Sequence, residues 1–236
     1  MAFTDLIVTH DNVISPELCE EIISRFEDDD RKYEGITGGM DGVDLKTKIS
    51  TDLTISCLPE WADVDGKLFE AVTKYFTEYL QHYSEVVGMQ PYGFYFHDMG
   101  YQIQKTKPGE FYKWHHDYVA SHIQGFDHGA NDTDRYLVRD RLFTYILYLN
   151  DRDDEWTDGR TQFTHCGEIT SIIPKAGRLL LFPANEIYTH RGETLETGVK
   201  YLMTGWAGHM SSCSYSGVNE PESEACADFV HHFTEH

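Results

Sequence analysis

Basic residues are scarce in this 236-residue chain: 19 Lys and Arg stand against 40 Asp and Glu, a formal charge of −21. A surface so acidic repels phosphate backbones and anionic headgroups, which argues against nucleic acid and against a membrane as partners. Only the sequence cluster Lys105, Lys107, Lys113, Arg135, Arg139 and Arg141 runs the other way. No apolar run reaches the roughly 18 residues a membrane-crossing helix needs. The opening MAFTDLIVTHDNV lacks the basic-then-apolar order of a secretory signal. Cysteine is sparse too: five residues, an odd number, with no close pair of the kind that holds zinc or cycles between thiol and disulfide. They read as reduced, mostly buried thiols, and these absences together lead us to expect a soluble, cytoplasmic protein.

Aromatic residues are plentiful, with 15 Tyr and 13 Phe, which suits strands and a lined pocket but equally an aromatic core. The length fits one domain with a substantial interior. Residues 6–8 read as a short strand. Ser15-Pro16-Glu17 reads as a helix start, with Ser15 as cap and Pro16 in the first turn, for a helix to about Phe26. Residues 27–45 are acidic and Gly-rich, a loop, and 53–58 looks like a strand. Val64, Leu68, Val72, Tyr75, Phe76 and Leu80 recur at helical intervals and predict an amphipathic helix over 63–87.

From Tyr92 onward the pattern changes to short apolar runs bounded by turn residues, at 94–96, 101–104, 142–149, 168–173, 178–182 and 201–206. Strands at that spacing point to a sandwich or barrel, with the earlier helices packed on one sheet. Residues 119–139 have no clear period and read as a loop beside the site, either a substrate lid or merely an unstructured connection. The tail at 210–236 is acidic and Ser-rich.

Chemistry concentrates in Tyr112-Lys113-Trp114-His115-His116-Asp117 and, much later, Tyr188-Thr189-His190-Arg191-Gly192. Two imidazoles and one carboxylate on one side of an iron leave adjacent positions open for a chelating cosubstrate and dioxygen. His115 and Asp117 stand two apart, so a single extended segment can present both to the same side. Taken alone, His-x-Asp says little in a chain with 13 His and 40 acids, where a solvated histidine is the plain alternative. Ten residues after His190 comes Lys200, in the apolar stretch Val199 to Trp206. Facing inward it needs an anion, while at a strand edge it needs nothing.

The joint order of these pieces resembles the prolyl 4-hydroxylase branch of the Fe(II)/2-oxoglutarate-dependent dioxygenase superfamily. The resemblance runs over roughly Gln102 to Trp206 and rests on Gly109, Tyr112, His115 and Asp117; on Gly159, Thr161 and Phe163; on Pro174, Gly177, Leu180 and Phe182; and on His190 with Lys200. It implies a mainly β fold, a double-stranded β-helix of jelly-roll type, in one domain over 1–236. Helical support is expected at 1–90, the catalytic core at 91–208 and an acidic tail at 209–236. It implies that His115, Asp117 and His190 hold Fe(II) as the catalytic centre and that Lys200 meets 2-oxoglutarate. Thr161, Trp206 and Thr106 would line the cosubstrate pocket, with Tyr112 and Arg141 facing the substrate. The expected reaction hydroxylates a prolyl residue in a peptide or protein with O2, yielding succinate and CO2, with ascorbate as a candidate reductant. A free amino acid or small-molecule acceptor, a non-catalytic jelly-roll binding module and a cupin-like enzyme without 2-oxoglutarate stay open. Two departures from the family pattern stand out: Thr106 where a cosubstrate-binding tyrosine is usual, and Asp158 at the first glycine of the Gly-Gly turn.

Overall fold

The computed structural model describes residues 2–37, 43–88, 96–118, 120–122, 136–151, 158–213 and 232–233; over 120–122, 136–140, 209–213 and 232–233 the backbone alone is described. In chain order its elements are β1 (Val8–His10), α1 (Pro16–Asp28), β2 (Tyr33–Glu34), β3 (Lys48–Ile49), β4 (Thr51–Thr54), α2 (Ala62–Val87), β5 (Phe96–Thr106), β6 (Phe111–His115), β7 (Ala120–His122), β8 (Tyr136–Tyr148), β9 (Thr161–His165), β10 (Glu168–Ile172), β11 (Leu179–Pro183), β12 (His190–Gly192), β13 (Lys200–Cys213) and β14 (His232–Phe233). Helix α1 starts as its cap dictates, Ser15 Oγ accepting from the Leu18 N–H at 3.3 Å. Helix α2 ends where Gly88 takes φ 76°, a left-handed stop.

Among the described residues two antiparallel sheets form. The larger runs β1-β11-β8-β13-β5-β4-β2, with β7 beside β8 and β14 beside β5; the smaller runs β10-β9-β12-β6-β3. This is the expected mainly β jelly roll with helical support. Period-two alternation gives the larger sheet two faces. One face, with Leu53, Ile103, Tyr145, Leu147 and Met203, packs on Ile22 and Phe26 of α1 and Leu68 and Phe76 of α2. The other, with Ile146, Tyr148, Leu180, Phe182 and Leu202, meets Phe163 of the smaller sheet. Burying such side chains stabilises the fold by about 1.5–3 kcal/mol each before the entropy of ordering them is counted.

Several expectations shift. Residues 3–6 form a 3-10 helix and the first strand starts at Val8, because the Ile7 N–H bonds the Thr4 carbonyl at 3.1 Å. The strand expected at 53–58 is β4, Thr51–Thr54; the Leu58 N–H turns back to the Ile55 carbonyl at 2.9 Å, ending extension ahead of Pro59. Strand β2 lies inside the stretch read as loop. Strands β7 and β8 take both ends of the 119–139 segment, paired with each other, and residues 123–135 of that segment lie outside the described residues. Strand β13 runs past the expected core boundary at 208 to Cys213, its partner β8 continuing beside it. Most of the 210–236 tail lies outside the described residues.

The cysteines also differ from a set of reduced, buried thiols: Cys19 is free and buried, Cys166 is free and exposed, and Cys57 is disulfide-bonded. Sequence spacing carries no signal for a bond whose partners only the fold brings together. That bond also removes the cysteine argument for a reducing compartment. No helix of the described residues is long and apolar enough to cross a membrane.

Candidate metal centre and its cavity

His115 ends β6, Asp117 follows two residues on, and His190 opens β12, paired with His115 across the strands. The backbone of Asp117 is pinned by its N–H on the Ala184 carbonyl at 3.1 Å. One ligand atom from each of the three side chains lies within 4.8 Å of the others. His115 Nε2 stands 3.5 Å from Asp117 Oδ1, and His190 Nε2 stands 3.7 Å from Asp117 Oδ2.

Both imidazoles are oriented from behind, His115 Nδ1 on the Lys113 carbonyl at 2.7 Å and His190 Nδ1 on the Tyr188 carbonyl at 3.1 Å. A carbonyl can only accept, so in the neutral rings Nδ1 carries the proton and Nε2 offers its lone pair. Burial, helped by the neighbouring His115, lowers the His190 pKa to about 4, which keeps that ring a neutral donor. Burial pushes the Asp117 carboxyl up, but the pull of His190, the contact with His115 and the Arg141 guanidinium overcome it and hold the group well below the usual carboxylate range. Thr144 Oγ1 donates to Asp117 Oδ2 at 2.8 Å. Two oriented nitrogens and one ionised oxygen, converging from one side, fit a divalent transition metal such as iron(II).

The cavity beside these donors is about 390 Å³ in volume, and Thr106, Tyr112, Arg141, Thr161, Lys200 and Trp206 also line it. Lys200, 3% exposed, sits opposite Thr106 across β13 and β5, and its Nζ donates to the Gly159 carbonyl at 2.9 Å. A side chain at Gly192 would start in ordinary contact with its neighbours, 3.8 Å from Lys200 Nζ and 3.5 Å from Tyr112 Cβ. Asp158, the departure in the glycine turn, accepts the Glu196 N–H at 2.7 Å and so ties that turn to the segment leading into β13.

Sequence reasoning missed Tyr148, which is buried and donates to Thr161 Oγ1 at 2.6 Å. Its signal was period two: Thr144, Ile146 and Tyr148 share the face of β8 that carries the Asp117 contact. Trp206 and Arg141, read separately as cosubstrate and substrate residues, form one stack, the guanidinium carbon 3.5 Å from the ring centre. Burial lowers the Arg141 pKa against the pull of Asp117 and Tyr112. The Tyr112 ring stacks on His115 with centroids 3.5 Å apart.

Residues 101–208 match the family model of the 2OG-Fe(II) oxygenase superfamily, so the resemblance carried by the motifs holds for the segment that contains every one of these side chains. Among proteins of similar sequence is 2-oxoglutarate and iron-dependent oxygenase domain-containing protein 3. The Xenopus tropicalis form is 29% identical over 90 residues, 38% of this chain and 25% of that protein. The Homo sapiens form is 27% identical over the same shares. The match thus spans a quarter of the length of these relatives.

Similar solved structures include a prolyl hydroxylase from Trichoplax adhaerens in complex with a hypoxia inducible factor oxygen degradation domain peptide fragment, with TM-score 0.63 and 15% identity, covering 87% of this chain and 84% of that one. A viral collagen prolyl hydroxylase from Paramecium Bursaria Chlorella virus-1, in its 2OG complex, has TM-score 0.56 and 19% identity over 86% and 96% of the two chains. A Pseudomonas putida prolyl-4-hydroxylase has TM-score 0.56 and 16% identity over 86% and 93%. At these identities the likeness is one of fold.

Proposed function

We propose that this protein is an iron(II)- and 2-oxoglutarate-dependent hydroxylase acting on a prolyl residue of a peptide or protein. The observation that carries the reading is the convergence of the His115–Asp117–His190 donors with a buried Lys200 on one cavity. His115, Asp117 and His190 would hold the iron, and Thr144 keeps the Asp117 carboxylate aimed. When bound, iron with 2-oxoglutarate and O2 supplies the oxidation that ends in succinate, CO2 and a hydroxylated C–H position. Lys200 offers its ammonium to the cosubstrate's distal carboxylate, and Thr161, fixed by Tyr148, offers a hydroxyl oxygen beside it. The apolar layer of Ile146, Leu202 and Phe182 excludes water from that end. Tyr112 and Arg141, which line the same cavity, would face the acceptor, and Thr106, opposite Lys200 in register, would border the cosubstrate end. Ascorbate as reductant belongs to this proposal, as does a protein partner as substrate.

The prolyl acceptor is supported by the shared fold of the three prolyl hydroxylases. One observation favours a second reading: Arg141 makes no hydrogen bond or ion pair among the described residues, which suits an acceptor that brings its own carboxylate, such as a free amino acid. Anaerobic addition of iron(II) and then 2-oxoglutarate to the apo-protein tests the cofactor chemistry. A visible charge-transfer band is expected in the wild type and a weaker one in Lys200→Ala; no band with iron bound would sink the proposal. Succinate release stimulated by Pro-rich peptides and not by free proline supports the prolyl reading, and the reverse overturns it.

A further inference from the structure

The cavity wall that leads away from the metal donors is made by alternate residues of β5 and the strand beside it. Gln102 and Gln104 share a face with Thr106, and all three line the cavity. In register, Gln102 lies between Thr204 of β13 and Thr54 of β4. Gln104 Nε2 donates to Gln102 Oε1 at 2.9 Å, Gln102 Nε2 donates to the Tyr33 hydroxyl at 2.8 Å, and Tyr33 and Thr54 share a hydroxyl hydrogen bond of 2.6 Å. The row therefore runs from the half-buried Gln104, beside buried Thr106, out to the exposed Thr54.

Two features set the chemistry of this row. First, charge next to it is already neutralised: Lys48 Nζ donates to Asp52 Oδ2 at 2.6 Å with both groups buried, and Glu193 is held by Arg160 at 2.8 Å. Second, two amides and two hydroxyls carry more donors and acceptors than the three bonds between them use. Gln104 Oε1 accepts no hydrogen bond among the described residues, and each glutamine amide keeps a second N–H. A neutral wall with both donors and acceptors to spare complements a group with one of each, the peptide unit. The charged ends of a free amino acid would meet no unpaired opposite charge along it. Its exposed outer end, where Ile36 is 47% exposed and also lines the cavity, lets a chain continue past the mouth.

We propose that the Thr54–Tyr33–Gln102–Gln104 row binds a main-chain amide of the polypeptide flanking the residue to be hydroxylated, and so selects a peptide over a free amino acid. This rests on the hydroxylase reading above. The test uses the full chain with iron(II) and 2-oxoglutarate, measuring succinate against a panel of acetylated, amidated Pro-containing peptides and against free proline. Comparison is made with the double variant Gln102→Leu/Gln104→Leu and with Tyr33→Phe, which removes one hydroxyl and leaves the ring to fold as before.

The expected result is a KM for the stimulating peptide raised about tenfold in the double variant and about threefold in Tyr33→Phe, with the KM for 2-oxoglutarate holding in both. An unchanged peptide KM in both variants overturns the row while leaving the hydroxylase reading intact. Stimulation of the wild type by free proline alone, or by neither class of acceptor, overturns the peptide reading and the row together. A charge-transfer band that fails to form in the wild type is the separate failure of the cofactor chemistry.

Discussion

Two buried carboxylates, one on each side of the larger sheet, behave in opposite ways. Asp117 lies on the cavity side, among His115, His190 and the Arg141 guanidinium, and the pull of these basic side chains holds it ionised despite its burial. Asp98 lies on the helix side, where its carboxylate accepts from the Tyr145 OH and from the Gly100 N–H at 3.0 Å, both neutral donors. Burial pushes its pKa up to about 6, and the charge of Asp65 adds to the rise against those hydrogen bonds. The same residue type is thus a standing anion where basic side chains converge and an acid that keeps its proton up to about pH 6 where neutral donors surround it. Burial alone therefore marks no functional acid; what differs between the two is the set of charged partners around the carboxylate.

The largest effect that would sharpen this contrast is at Asp117. Asp117→Ala is expected to abolish succinate formation, and full turnover in that variant would remove the carboxylate from the metal centre. Next comes the pH dependence of stability. Because the Asp98 pKa in the fold lies above its ordinary value, the folded state binds the extra proton, so this group's contribution falls as pH rises from about 4 to about 6 and is level above that. The span corresponds to roughly 3 kcal/mol. Asp98→Asn should remove that falling component in urea melts of the apo-protein at pH 4 and pH 7, while leaving the iron site's charge-transfer band in place. Identical pH profiles for variant and wild type would erase the difference between the two acids.

A smaller test concerns how Asp117 is aimed. Thr144→Val deletes the 2.8 Å hydrogen bond at nearly constant volume and should weaken metal affinity by about 10- to 100-fold, read by competition with a chelator. Smallest is a control on the fold alone. Ser15→Ala should cost about 1 kcal/mol at the start of α1 and leave the KM for 2-oxoglutarate unmoved, since the cap touches no cavity residue.

Much of this was legible in the sequence wherever a local rule held. Ser15-Pro16 set a helix start, the 3.6-residue stripe from Val64 to Phe76 set α2, and the short runs around Leu142–Leu149 and Tyr201–Trp206 set the sheet. The spacing His115-x-Asp117 with His190 and Lys200 located the donors that the fold brings to one cavity. Less legible were features whose cause is remote. The end of β4 at Thr54 follows from the turn at Ile55 to Leu58, not from strand propensity. The Arg141–Trp206 stack joins β8 to β13, and the Cys57 disulfide has no spacing signature.

The sequence by itself determined which chemistry the chain could carry, because ligand types, their order and two-residue alternation are local properties of the polypeptide. Only the tertiary structure decided which of many buried polar groups are charged and which are paired. It put Tyr148 on Thr161, committed Lys48 to Asp52, and stacked Arg141 over Trp206. Those outcomes depend on distances between strands far apart in sequence, and electrostatic energy in a low-dielectric interior is set by such distances.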